Sequence, residues 1–385
     1  AAGQRPVIEF MFMDFITLAV DQIVNMAAKL YPVYGLRCPL VLRAPPGGGR
    51  GYGATHSQSL ERLFACVPGI KIAVPSNAHD AAGLLQTAIR DDNPVLFLEH
   101  KLLYPQRFEV EDDLPPPIPF GFARHTHEGD DVTIVAWSHM AFLARQAAAA
   151  LAAEGIGADV VDLLTIQPLD IDAIVESAQR TGRVIIAEEG PKTGGIAAEI
   201  AAQVMERAHD YLEKPVRRVA GTDFPVPSAK HLEAACLPSA HDIAAAAKRH
   251  FWVASRGLFA ESKSRDRFSE HAQCMAVLGG SVPKGADIAQ ALLGADDLDR
   301  TTVYFSHYLF ETFRVLGRTD AIYDRLGLWF EHVGRGLKTT IESPEPTRSD
   351  CHAWGAHPMF HAFATFAGIR PAAPGFRKVV IAPQP

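Results

Sequence analysis

The chain contains no Cys-x-x-C pair, no long apolar run and no excess of positive charge, and each absence closes off a class. The five cysteines (Cys38, Cys66, Cys236, Cys274 and Cys351) are scattered and odd in number. That pattern argues against a disulfide scaffold or a thiolate zinc site and suits a reducing cytoplasm. No uninterrupted apolar stretch is long enough to span a bilayer. A net charge of −7 gives no electrostatic reason to expect nucleic acid or an anionic membrane surface as partner. No Gly-Lys-Ser/Thr follows a glycine-rich loop, and no G-x-G-x-x-G fits, so spacing alone specifies neither a nucleoside triphosphate nor a dinucleotide site. The first residue is Ala1, without an initiator Met or a basic-then-apolar leader. The sequence is therefore expected to begin inside a domain.

What is present is a globular composition, 48% hydrophobic and 21% charged over 385 residues, enough for two or three domains. The most informative stretch is residues 43–59, RAPPGGGRGYGATHSQS. A strand-like run over 39–43 feeds it, and Pro45-Pro46 stops the strand. Glycines then let the backbone approach a ligand closely. His56 ends the loop, before a helical pattern over 59–65. A mobile surface loop is the plain alternative, but open α/β sheets place their sites between such a strand and helix.

Around this loop the apolar pattern alternates. Strands are expected over 7–12, 70–75 and 95–98, and helices over 15–29 and 80–90, which together imply a parallel sheet with crossover helices. Residues 109–130 are acid- and proline-rich and read as a linker after a first domain over 1–108. A second α/β unit over 131–252 has strands at 132–137, 158–162, 184–188 and 216–219. Its helices are expected at 141–154, 171–177, 196–207 and 239–251. From 253 to 385 alternation stops. Helices with aromatic faces are expected over 302–316 and 323–335, with a terminal strand over 379–381.

Specific words in one order carry a resemblance. EFMFMDF (9–15), DQIVNMAAK (21–29), PGGGRGYGATHSQS (46–59), PGIKIAVPSNAHDAAGLL (68–85), AIRDDNPVLFLEHK (88–101) and AEEGPKTGGIAAEI (187–200) resemble the β subunits of the decarboxylase component of 2-oxoacid dehydrogenases. The resemblance implies an α/β fold. A truncated parallel-sheet domain like the thiamine-diphosphate pyrimidine-binding type precedes a transketolase C-terminal-like domain. It also implies thiamine diphosphate shared with an α subunit that supplies the magnesium site, an α2β2 assembly with a second β subunit, and a lipoyl acyltransferase partner. Residue by residue, Met11 and Phe15 fall where apolar side chains pack on the cofactor's pyrimidine, with plain core packing as the alternative. His56 matches the histidine near the reacting carbon. Leu40, Ala88, Ile89, Asp91 and Asn93 match a potassium site, with a solvated turn as the alternative. The family's cofactor-activating glutamate precedes the segment matching residues 3–6, so it is expected to lie outside this sequence.

Residues 253–385 resemble something else. RGLFAESKSRDRFSEHAQ (256–273), TVYFSHYLFETFRVLGR (302–318) and TTIESPEPTRSDCHAWGAHPMF (339–360) are similar to the C-terminal part of bacterial α-L-rhamnosidases. That likeness implies a mostly α fragment of an (α/α)6 barrel. Glu342 would be the general base of an inverting glycosidase, and His352, Trp354 and His357 would line the sugar pocket. The whole reads as a fusion of two families. A glycosidase fragment and a non-catalytic assembly protein are the rival readings.

Overall fold

Short runs of branched apolar residues, separated by helices, set up the first sheet. The structure, a computed structural model, describes residues 3–108, 114–261, 266–334, 353–372 and 377–383, apart from the side chains of 332, 333, 353 and 354. The chain divides into two compact units, Ala1–Ala247 and Lys248–Pro385.

In the first unit, strand β1 (Val7–Glu9) precedes a helical stretch over residues 13–29 whose turns alternate between tight and wide. Regular helix α1 (Leu30–Tyr34) follows. The helix expected over 15–29 is thus less regular and runs on to Tyr34. The β-branched Ile16, Thr17, Val20, Ile23 and Val24 crowd successive turns. Gly35, at φ 66°, ends the helix by donating to the Leu30 and Tyr31 carbonyls. Next come β2 (Val41–Arg43), the single turn α2 (Arg62–Ala65), β3 (Lys71–Ala73), α3 (Ala78–Arg90) and β4 (Val95–Phe97). The Asn77 side chain caps α3 by accepting the Asp80 N–H.

The chain continues through β5 (Ala123–His127), β6 (Val132–Trp137), α4 (Ser138–Ala152), β7 (Ala158–Leu163), β8 (Thr165–Gln167) and α5 (Ile171–Thr181). Then follow β9 (Val184–Pro191), α6 (Ile196–Ala208), β10 (Arg217–Gly221), α7 (Lys230–Cys236) and α8 (Ala240–Arg249). One sheet has the order β1-β2-β4-β3-β8, the other β10-β9-β6-β7-β5. All neighbours are parallel except the edge strands β8 and β5. Val41 pairs with Val95 in the first sheet and Thr133 with Val184 in the second. Strands β4, β6 and β7 are buried along their whole length, which is why they read as near-continuous apolar runs.

Two edge strands depart from expectation. β5 lies inside residues 109–130, so part of that presumed linker pairs with β7. β8 follows β7 closely yet joins the other sheet, placing Gln167 opposite Ile72. A buried polar seam adds to that tie. Arg145 donates to Asp162 at 3.0 Å and to Ser76 at 3.1 Å, and Ser76 donates to Asp162. Burial pushes the Asp162 carboxyl up to about 7, against the Ser76 hydrogen bond and the Arg145 charge.

The second unit begins with a hairpin of β11 (Trp252–Val253) and β12 (Leu258–Phe259). Helices α9 (Glu270–Leu278), α10 (Ile288–Gly294), α11 (Ser306–Val315), α12 (Asp320–Arg325), α13 (Gly327–Gly334) and α14 (His357–His361) follow. β13 (Ile369–Pro371) and β14 (Val379–Ile381) pair at the end. The region is mostly helical. The helix expected over 323–335 is two, α12 and α13, divided at Leu326. Helix α9 packs on α11, burying Cys274, Leu309, Phe310 and Phe313. Among the described residues no helix is long and apolar enough to cross a membrane.

Candidate active site

The glycine loop leaves β2 and turns back beneath strand β9. A side chain could not replace Gly47: its φ is 90°, and a Cβ there would lie 1.9 Å from Nε2 of His100. The loop's backbone donors converge as they would on an anion, but two carboxylates of the chain already fill that place. Gly48 N–H donates to Glu189 Oε1 at 2.7 Å. Gly49 and Gly51 N–H donate to the two oxygens of Glu233 at 2.8 and 2.7 Å. Glu233, on α7, is buried.

Glu189, on β9, is also pinned by His100, whose Nε2 lies 2.8 Å from its second oxygen. The His100 Nδ1 accepts the Leu102 N–H, which puts a ring proton on Nε2, facing Glu189. Burial alone would raise the Glu189 carboxyl. Its pairing with His100, with His139 and the Gly48 N–H, outweighs it and holds the group well below the ordinary carboxylate range. Neither Glu189 nor Glu233 was singled out from sequence. The only signal was acidic residues at the end of a buried strand and in an otherwise ordinary helix.

His56 is half-buried, and its Nδ1 lies 2.9 Å from the Thr55 hydroxyl. Phe12 and Phe15 meet its ring edge-on, with centroids 4.9 and 5.3 Å away. Lys101 Nζ sits 3.3 Å from the Phe12 ring centroid. Below them Asp14 is buried and accepts from the Gln58 backbone N–H and side-chain amide, locking the loop's far end to the residues around Met13. Met11 is 73% exposed and Phe15 37% exposed. The structure thus gathers Phe15 and His56 on one surface, with Met11 nearby in sequence and open to solvent. Plain core packing accounts for neither apolar side chain. Beside the loop lies a cavity of about 440 Å³, bordered by Ser57, Gln58, Leu60, Arg62, Thr193 and Asp223.

The five cation candidates flank the C-terminal end of α3 and strand β2. The Asp91 carboxylate accepts from Asn93, through both its backbone and side-chain N–H, and from Lys71. The Ile89 and Asp91 carbonyls take Arg5 Nη1 at 3.2 and 2.8 Å. The Leu40 carbonyl accepts Val95 N–H at 2.8 Å, and Ala88 accepts Asp91 N–H at 3.3 Å. Of the sugar-site candidates, Glu342 and His352 lie outside the described residues, as does the Trp354 side chain. His357 packs against Trp329 and contacts the Val303 carbonyl.

Residues 1–107 match the transketolase pyrimidine-binding domain, and residues 121–243 the transketolase C-terminal domain. The pyruvate dehydrogenase E1 component subunit β of Rickettsia bellii (strain RML369-C) is 47% identical over 254 residues, covering 66% of this chain and 78% of that protein. The mitochondrial subunit β of Dictyostelium discoideum is 44% identical over 253 residues, covering 64% of this chain and 71% of its own length. Among solved structures, a split-gene transketolase, an inactive β4 tetramer, is similar with a TM-score of 0.53 at 29% identity, over 64% of this chain and 76% of that one. Through its first unit this chain belongs to the family of pyruvate dehydrogenase E1 β subunits, the β subunits of thiamine-diphosphate-dependent 2-oxoacid dehydrogenases.

Proposed function

We propose that this chain supplies one wall of a thiamine diphosphate site and that an α subunit supplies the other, within an α2β2 assembly serving a lipoyl acyltransferase. One observation carries the reading. Apolar side chains are displayed around His56, while the Gly48, Gly49 and Gly51 donors are occupied by Glu189 and Glu233. Met11 and Phe15 fit the apolar face of a pyrimidine. The two carboxylates would repel a pyrophosphate, so that end, with its magnesium, falls to the α subunit.

When bound, thiamine diphosphate supplies the nucleophilic carbon that works on the 2-oxo group. The chain's own contribution is binding, water exclusion and proton handling. The Thr55 hydroxyl occupies His56 Nδ1, leaving Nε2 to hold or move a proton towards the incoming lipoyl group. Leu18, Met26, Tyr31, Val33 and Tyr34, all on the segment over residues 18–34, are exposed apolar side chains, which suits burial against α and a second β subunit. The free thiols of Cys38, Cys66, Cys236 and Cys274 suit a reducing compartment, the cytoplasm. Titrating the cofactor into this chain, with and without an α subunit, tests the reading.

Potassium is the second part of the proposal, at Leu40, Ala88, Ile89, Asp91 and Asn93. A carbonyl has two lone pairs, so the oxygens of Leu40, Ala88 and Ile89 each keep one beyond their present donors. The helix end also favours a cation. In potassium chloride the first unit should melt about 2–4 °C higher than in choline chloride of equal ionic strength, corresponding to roughly 1 kcal/mol. Equal melting temperatures would remove the ion from the account.

A further inference from the structure

In the second unit His357, one of the sugar-site candidates, meets two further histidines, His307 and His361, that neither the dehydrogenase reading nor the sugar reading uses. His307 comes from α11. His357 and His361 come from α14, one helical turn apart and so on one face. One ring nitrogen from each lies within 4.8 Å of the other two. We propose that His307, His357 and His361 form a binding site for a borderline divalent transition ion, with zinc(II) as the probe.

The hydrogen bonds around the rings carry the argument. His357 Nε2 lies 3.0 Å from the Val303 carbonyl, which can only accept, so Nε2 bears the proton. A neutral ring then has its lone pair on Nδ1, and that atom is buried without a hydrogen-bond partner among the described residues. His361 Nδ1 is held 2.9 Å from the Thr365 hydroxyl, which leaves Nε2, 3.0 Å from His307 Nδ1. Each α14 histidine therefore has one ring nitrogen fixed on an oxygen, the arrangement by which proteins orient metal-binding imidazoles; the other nitrogen is open in His357 and in His361 is held by His307, a contact that a bound ion would replace.

Zinc–nitrogen bonds of about 2.0–2.1 Å at tetrahedral angles need ligand nitrogens roughly 3.3 Å apart. The His307–His361 pair is already near that value, and the candidate nitrogens of all three rings lie within 4.8 Å of one another. Glu311 does not compete as a ligand, because its carboxylate is engaged by Arg314 and Arg370. Three neutral ligands would leave a fourth position for water or an anion.

The test is calorimetric titration of zinc chloride into the metal-free full chain, with cobalt(II) absorption as a second readout. A second cluster, His100, His139 and Glu189, lies in the first unit. His139→Gln therefore serves as the control for zinc taken up there. His307 is only half-buried, so His307→Gln leaves the fold intact, as circular dichroism would confirm. We expect His307→Gln to weaken one zinc equivalent by at least about tenfold and to abolish the tetrahedral cobalt bands, while His139→Gln leaves that equivalent unchanged. Thr365→Val, which removes only the oxygen behind His361, should weaken the same equivalent by about 10–100-fold. Absence of zinc binding to the wild-type chain, or an isotherm unaltered by both His307→Gln and Thr365→Val, overturns the proposal and leaves the histidines as aromatic core packing.

Discussion

Glu270→Ala should destabilise the second unit by about 3–5 kcal/mol, the cost of leaving a buried ion pair half-made. Glu270 opens α9 and is 1% exposed. Its carboxylate accepts from the Thr301 N–H and hydroxyl at 2.7 and 3.0 Å, from Arg300 at 2.7 Å, and from Nη1 and Nη2 of Arg325. One side chain thus holds the start of α9, the residues before α11, and α12. Burial would raise its carboxyl, but the hydrogen bonds from Arg325, Thr301 and Arg300 hold it down at about 2. Its folded pKa is depressed, so its contribution is present above the unfolded value of about 4.5 and is lost as pH falls towards 2. Urea unfolding followed by Trp329 fluorescence should show the loss for Glu270→Ala at pH 7. Wild type should lose the same increment between pH 4.5 and 2, and the variant should not. An unchanged midpoint at pH 7, or the same acid limb in both proteins, would contradict this role.

Glu233→Ala should open the glycine loop. The substitution removes the charged acceptor of the Gly49 and Gly51 N–H groups; Gly49 is exposed and Gly51 half-buried, so water replaces part of the loss and about 1–3 kcal/mol is expected for the first unit. The effect is also local. Arg50 lies between the two anchored glycines and is already exposed. Trypsin should cut after Arg50 slowly in the wild type and many-fold faster in the variant, because local opening sets the rate. Cleavage at one rate in both would show that Glu233 does not hold the loop. Since the loop delivers His56 to the Phe12–Phe15 surface, this anchor is structural support for the site rather than part of its chemistry.

The sequence made some of this visible and hid the rest for physical reasons. Strands β4, β6, β7 and β9 are buried on both faces, so their apolar runs stood out. Strand β5 reads ARHTH and β8 reads TIQ; both are antiparallel edges specified by pairing rather than by apolar content. His56 was legible because it ends a loop whose glycines mark a close approach. Its supports were not, since Glu189 lies 141 residues from Gly48 and Glu233 182 residues from Gly51. Glycine spacing reports that a backbone nest exists but not what fills it. Here that difference turns a possible phosphate cradle into an internally satisfied wall. The exposure of Met11 and Phe15 was likewise invisible to hydrophobicity, which marks core and interface residues alike.

The central claim is that the first unit holds only one side of the cofactor site. Calorimetric titration of thiamine diphosphate, with magnesium present, tests it most directly, performed once on this chain alone and once on the chain mixed with an α subunit of a 2-oxoacid dehydrogenase. The account predicts no measurable binding by the chain alone and saturable binding by the mixture. Micromolar binding by the isolated chain, or none in the mixture despite a heteromer seen by sedimentation, would contradict it.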